Sequence, residues 1–586
     1  MGRGLERRPM RRLSLALLLA SPLALAACNK AETPAGADKS KTEGDAGQAG
    51  GQDSGGAAKG ATQTCPATLS GEILNDVIIN KECGDVVIEG SVALIGTLTL
   101  EAGSRLVALD GAELRLGTYE RPAKLIVKGS AEAPVVMTSK GDRAAGVWLG
   151  LRLDKGAARS QIDGLVIENA GGGESAAVEI AAVDVTIGSL TVRKSKGPAL
   201  DLQVESTTAL ASLSVAEVGT PAIRTTAQAA SGIVAVSGEG AQVHIASGHF
   251  VGEAKLAAIG VPWLFTSEIQ IDGEEARPTT LSVAAGAQLR FGQEGALRVG
   301  LYQTGKLVLA GEAAKPISLA AQGEAKPGAW RGVWIDNGGT LELRHASIAD
   351  AGYDEGAAIV LDRNAKATIS KLALANSTVG VRAFNSESTM TLTDSSFTNV
   401  ARALELHPQV YGGVGSGNAY TGETRIALVA GQIERDTTWT AQAALVELTG
   451  NLDVSKGKLS IPGGKYQVDD AVLIGVGLYE NATLELKGSV EQPVEIAGTR
   501  DEPQLWGPLT FNSHAIASLL EHVVLRSVAA PAGVVVSDGA SVKVDDLRCD
   551  GCAATLQWSC AAKLERANVS AGANTAQAEL APSDCE

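Results

Sequence analysis

The side chains best suited to chemistry lie between positions 336 and 355: Asp336, Arg344, His345, Asp350, Asp354 and Glu355. Two or three carboxylates converging on one glycosidic bond would serve hydrolysis. The run Asp350-Ala-Gly-Tyr-Asp354-Glu355-Gly also offers oxygens and Gly turns that suit a calcium ion. Related stretches elsewhere in the chain carry Asn169-Ala-Gly-Gly-Gly-Glu174 and Ser527-Val528-Ala529-Ala530 instead, so a variable turn accounts for the run equally well. Asp336 returns as Asp154 and becomes Asn512, the behaviour of a turn residue rather than a lone catalyst. Trp334 stands where the related stretches have Arg152 and Thr510. Trp334, Asp336, Asp350, Asp354 and Glu355 are therefore the candidate binding set. No catalytic residue or metal ligand is assigned, and calcium is the ion that this turn could hold.

Other chemistry finds little footing. The acidic pairs Glu274-Glu275, Asp469-Asp470 and Asp545-Asp546 would point to opposite faces of a strand, so turns are their natural place. His244, His249, His345, His407, His514 and His522 show no metal-ligand spacing. Nucleophile-elbow, phosphate-loop and dinucleotide motifs are missing from the sequence. A formal net charge of -16 disfavours nucleic acid as a partner.

The elements that must hold these side chains are announced by repetition. Gly117-Thr118-Tyr119, Gly300-Leu301-Tyr302 and Gly477-Leu478-Tyr479 each open one passage. Each is followed by a Gly (Gly129, Gly311, Gly488), a Pro (Pro134, Pro316, Pro493) and a Trp (Trp148, Trp330, Trp506). Trp263 and Trp439 mark the entries to the second and third copies. The recurrence, about 180 residues long, exceeds any single solenoid unit and must contain several coils. Aromatics make up 3% of the chain and 69 residues are Gly, so burial must come from aliphatic columns. Short alternating runs such as Val183-Asp-Val-Thr-Ile187 and Leu190-Thr-Val192 read as strands between turns. Strand pairs return about every 20–25 residues, the length of one strand-solenoid coil. Val183 to Leu190, Ala365 to Leu372 and Ser541 to Leu547 each step between two strands at a corner. A β-propeller would need about 40–50 residues and four strands per blade, which this spacing does not match.

Leu98-Thr-Leu-Glu-Ala-Gly103, its counterpart Leu281-Ser-Val-Ala-Ala-Gly286, and the Gly129-to-Pro134 step before Trp148 carry a resemblance. The chain from about Cys65 onward resembles the right-handed parallel β-helix repeat proteins of bacterial surfaces and polysaccharide lyases. That resemblance implies an all-β, single-stranded parallel solenoid over 65–586, with superrepeats at about 65–258, 259–435 and 436–586. It also implies that lyase members hold calcium-binding carboxylates beside an Arg or Lys base. The scaffold hosts many functions, so the fold alone assigns none. The expected role is non-enzymatic, binding a polysaccharide or another surface protein or serving as a structural spacer. The alternative is a polysaccharide lyase or glycoside hydrolase working in a groove along one face.

The ends speak of location. Arg3, Arg7, Arg8, Arg11 and Arg12 precede an apolar run from Leu13 to Ala27, interrupted by Pro22 and shorter than the roughly 20 residues of a spanning helix. The run ends in Leu25-Ala26-Ala27-Cys28, which resembles a bacterial lipobox. By that resemblance residues 1–27 are a signal peptide and Cys28 carries the lipid, tying the chain to a membrane. Asn29 rather than Asp after it leans toward the outer membrane or cell surface. Residues 28–64 are Gly-, Ala- and Ser-rich and are expected to form a flexible tether. Six further cysteines sit near the ends: Cys65, Cys83, Cys549, Cys552, Cys560 and Cys585. In an exported chain they read as disulfides over the terminal coils, with the C-terminal pairing open and a zinc site the lesser alternative.

Overall fold

The computed structural model describes residues 62–582, apart from Asp142, 204–207, 274–276, Glu355, Asp501 and 503–504. The expected signal peptide, Cys28 and most of the expected tether lie outside the described residues, as do Glu355, Glu274, Glu275 and Cys585. The chain is 51% strand and 3% helix, wound as a parallel β-solenoid of about 21 turns.

Each coil contributes three short strands, which pair in parallel with counterparts in the coils below and above. The inward residues stack as aliphatic columns. On the first strand Val127, Ile162, Ile187 and Leu210 align. On the second, Val135, Leu165, Leu190 and Leu213 do so. On the third, Leu114, Leu151, Val178 and Leu200 follow the same rule. All of these side chains are buried. Strand alternation explains the composition: each coil turns Leu, Ile or Val inward and leaves the intervening polar residue in solvent.

Single residues in the left-handed region make the corners. His345 faces Lys371 between the two halves of the long strands Thr340–Ala349 and Lys366–Ala375. Asn169, Asp350 and Ser527 hold the next corner with φ values of 63, 66 and 66°. Asp350, Asn376 and Asn399 form a side-chain ladder there, Asn376 donating to Asp350 at 2.6 Å and Asn399 to Asn376 at 3.0 Å.

The repeated glycines and prolines have a local cause. Gly129, Gly311 and Gly488 each donate their N–H to the carbonyl of Asp163, Arg344 or Glu521 in the next coil, at 2.8–2.9 Å. Between each Gly and its Pro, a tight reversal is closed by the N–H of Ser130, Glu312 or Ser489 reaching Ala133, Lys315 or Gln492. The fixed Gly-to-Pro spacing is the length of that reversal.

The ladders do not all run the length of the molecule. The third-strand ladder of the first copy continues through Val243, Trp263, Leu289 and Leu319, where it supplies the second strands of the next copy. A new third ladder opens at His249–Phe250 and again at Gly431–Ile433. Each opening follows a four-residue helix, α1 (Ala227–Ala230) and α2 (Pro408–Tyr411), packed against the first strand of the new ladder. The junctions create open edges inside the solenoid, and a helix covers each. The equivalent Gln228 and Gln409 accept backbone N–H bonds from Val251 and from Glu434 and Arg435, tying each helix to its new coil.

At the ends, Cys65 is bonded to Cys83 and Cys549 to Cys552, and Cys560 is also in a disulfide.

Candidate functional site

The third strand carries Trp334, with Asp336 directly after it. Trp148, Trp330 and Trp506 are fully buried just before it, and each indole N–H donates to a carbonyl one coil on: Glu168 at 2.8 Å, Ala349 at 2.7 Å and Arg526 at 2.8 Å. The Trp330 ring also stacks on Phe291, with centroids 4.1 Å apart. These rings position the strand and are unavailable to a ligand. Trp263 and Trp439 are buried too but do not share a place. Trp263 faces Leu289 and donates to Ala257, whereas Trp439 bonds along Ser460 and donates to Pro408.

Outward positions across the third strand confirm the correspondence read from sequence. Arg115 aligns with Arg152, Arg298 with Trp334, and Gly475 with Thr510. In the first copy both arginines converge on Asp154, at 2.9 Å from Arg115 and 2.7 Å from Arg152. Burial alone would raise the Asp154 pKa; the two guanidinium groups outweigh it and hold the carboxyl below the usual range. In the second copy Arg298 grips Asp336 through two bonds of 2.7 and 3.2 Å and lies 5.7 Å from the Trp334 ring centre. In the third, Asn512 donates to the Val476 carbonyl instead.

Trp334 is half-buried against a small outer cluster of Ala357, Val360 and Val379, and its indole nitrogen has no hydrogen-bond partner. The outer column runs on from Trp334 to Val360, Arg382 and Glu405. Glu405 is held at 2.7 Å by both Arg382 and Arg402.

The remaining candidates occupy different corners of the coil. Asp336 follows the third strand, His345 separates the first from the second, and Asp350 precedes the next third strand. Asp350 is buried and bonded to Asn376, Arg344 points outward from the first strand, and Asp354 is an exposed left-handed turn residue. The fold thus pairs Trp334 with Asp336 through Arg298 and does not bring Asp350 or Asp354 into that contact. Among the described residues, no group of three or more His, Cys, Asp or Glu side chains is placed to hold a metal. Asp545 and Asp546 lie at a corner, where they bond Asn568 and His522.

Sequence reasoning missed Arg298 and Arg115, whose shared place two residues before a left-handed Gly was the available signal. It also missed the exposure of the recurring tyrosines: Tyr119, Tyr302 and Tyr479 are 85, 72 and 80% exposed. No family model, curated protein or solved structure matches the chain.

Proposed function

We propose that this protein is a lipid-anchored solenoid of the bacterial cell envelope that binds a partner along its sides without altering it chemically. One observation carries the reading: the outer carboxylates best placed for chemistry are committed to cations or amides of neighbouring coils. Asp154 meets the Arg115 guanidinium at 2.9 Å, Asp336 and Glu405 meet those of Arg298 and Arg382 at 2.7 Å, and Asp350 meets the Asn376 amide. A carboxylate so engaged is held by its partner, and its bonds stitch one coil to the next. The anchor rests on the lipobox-like Leu25 to Cys28, and Asn29 favours the outer membrane or cell surface. The tether of residues 28–64 would let the solenoid stand a few tens of ångströms from the lipid, at about 5–6 Å times the square root of its length. A polysaccharide or another surface protein is the partner class.

Two variants of the full-length chain test the proposal. Cys28→Ser should move it from the detergent phase to the aqueous phase in a phase-partition assay; unchanged partition contradicts the anchor. Asp336→Asn with Asp350→Asn and Asp354→Asn should leave partner binding nearly unchanged. Loss of a polysaccharide-cleaving activity in that triple variant would sink the non-enzymatic reading.

A further inference from the structure

The last described coil departs from the aliphatic columns beneath it. Its strands Lys563–Ala571 and Gln577–Leu580 pair with Ser541–Asp550 and Ala554–Trp558 on one side and, among the described residues, with nothing on the other. One inward column runs through Ile461, Leu486, Leu520 and Val544, and the next residue in it is Arg566. Another runs through Ile474, Leu509, Val534 and Leu556, and the next residue is Glu579. The apolar members of both columns are buried.

The cation and the carboxylate meet across the mouth of the solenoid. Arg566 Nε donates to Glu579 Oε1 at 3.0 Å, and the guanidinium carbon lies 4.5 Å from the centre of the Trp558 ring. Trp558 stands at the top of a third column, after Val476, Phe511 and Val536, and is half-buried. The Arg566 and Glu579 side chains remain 39 and 35% exposed, so water still reaches both charges. Leu564 and Val569, on the same strand as Arg566, are only partly buried against the core.

We infer that the Arg566–Glu579 pair over Trp558 is a cap that stops two copies of this chain from joining end to end through this coil. The nine-residue strand Lys563–Ala571 presents a free edge of backbone N–H and C=O groups beside partly covered apolar side chains. Such an edge templates another strand, and a second copy is the partner whose coils match it. Charge at the inward places opposes that step. A coil stacked above would take the guanidinium and the carboxylate out of water, and the lost hydration exceeds what their mutual attraction returns. Lys563 and Glu565 place two more charges on the same edge strand, at outward positions. A polar terminal unit of this kind is what keeps a stacked-repeat protein soluble. The inference holds whatever the sides of the solenoid bind.

The test is sedimentation velocity of the full-length protein in detergent, with a thermal midpoint and hydrogen exchange for each variant. Arg566→Leu with Glu579→Leu continues the apolar columns into the last coil. That variant should keep a midpoint no lower than wild type and should self-associate about tenfold or more strongly. Its associated form should show new exchange protection over residues 563–571. The exchanged pair, Arg566→Glu with Glu579→Arg, should sediment as wild type does, because it keeps both charges at the mouth. A double Leu variant that sediments like wild type overturns the inference, whether its midpoint is kept or lowered; a lowered one would show that the pair only braces the last coil. Association that leaves residues 563–571 unprotected overturns it as well. So does wild-type protein already associated with those residues protected.

Discussion

Trp148, Trp330 and Trp506 show how much one residue carries here, because each fills the core and satisfies a carbonyl of the coil above. Trp330→Phe keeps most of the packing but leaves the Ala349 carbonyl without its donor, which should cost about 1–3 kcal/mol. Trp330→Ala adds a cavity beside Phe291 and should cost about 3–5 kcal/mol. Denaturant unfolding separates the two values, and a Trp330→Phe variant as stable as wild type would contradict the assigned bond. The structural part of these tryptophans was legible from their recurrence. Their hydrogen-bond partners were not, because the acceptors lie 19–20 residues further along the chain. Trp334 was legible as a place where the copies differ, yet the cluster it leans on comes from two later coils. The Gly-x-Tyr mark divides in the same way. Its Gly shapes the corner as read, while its Tyr points to solvent, and spacing alone does not tell in from out at a turn.

At the scale of elements, the junction helices let one sheet end and another begin inside a continuous solenoid. Alternating patterns announced the strands and corners, but the exchange of ladders left no trace in those patterns. A strand looks the same whichever ladder it joins. The visible signal is the glycine after each helix, Gly232 and Gly413, where a Cβ would sit on the carbonyl oxygen of Thr208 or Met390. Gly413→Ala should therefore destabilise the second junction by about 1–3 kcal/mol. Hydrogen exchange should show the loss concentrated around residues 408–433; a uniform or undetectable change would contradict this role. The corner pair His522–Asp546 gives a pH signature. Its 2.8 Å hydrogen bond raises the His522 pKa above the ordinary value. The stabilisation is then fully present below the unfolded value of about 6.5 and lost as pH rises through the raised folded value. The stability difference between wild type and His522→Gln should be larger at pH 5.5 than at pH 8.5. A difference independent of pH would show that the pair contributes nothing.

For the whole molecule, recurrence and function separate cleanly. The repeated Gly, Pro and Trp residues build coils, and the repeated Tyr residues stay exposed. The parallel solenoid was legible from coil spacing and the aliphatic, glycine-rich composition, because stacking of short alternating strands is the way such a chain buries itself. The candidate site was less legible. Asp336, His345 and Asp350 are near in sequence, and the coil sends them to three separate corners. The central claim is binding without chemistry, and one measurement meets it directly. Full-length protein is incubated with a panel of polysaccharides, with and without calcium, and scored for retention and for new chain ends. The account predicts retention of an intact polymer, unaffected by calcium. New reducing or unsaturated ends that appear with the wild-type protein would contradict it.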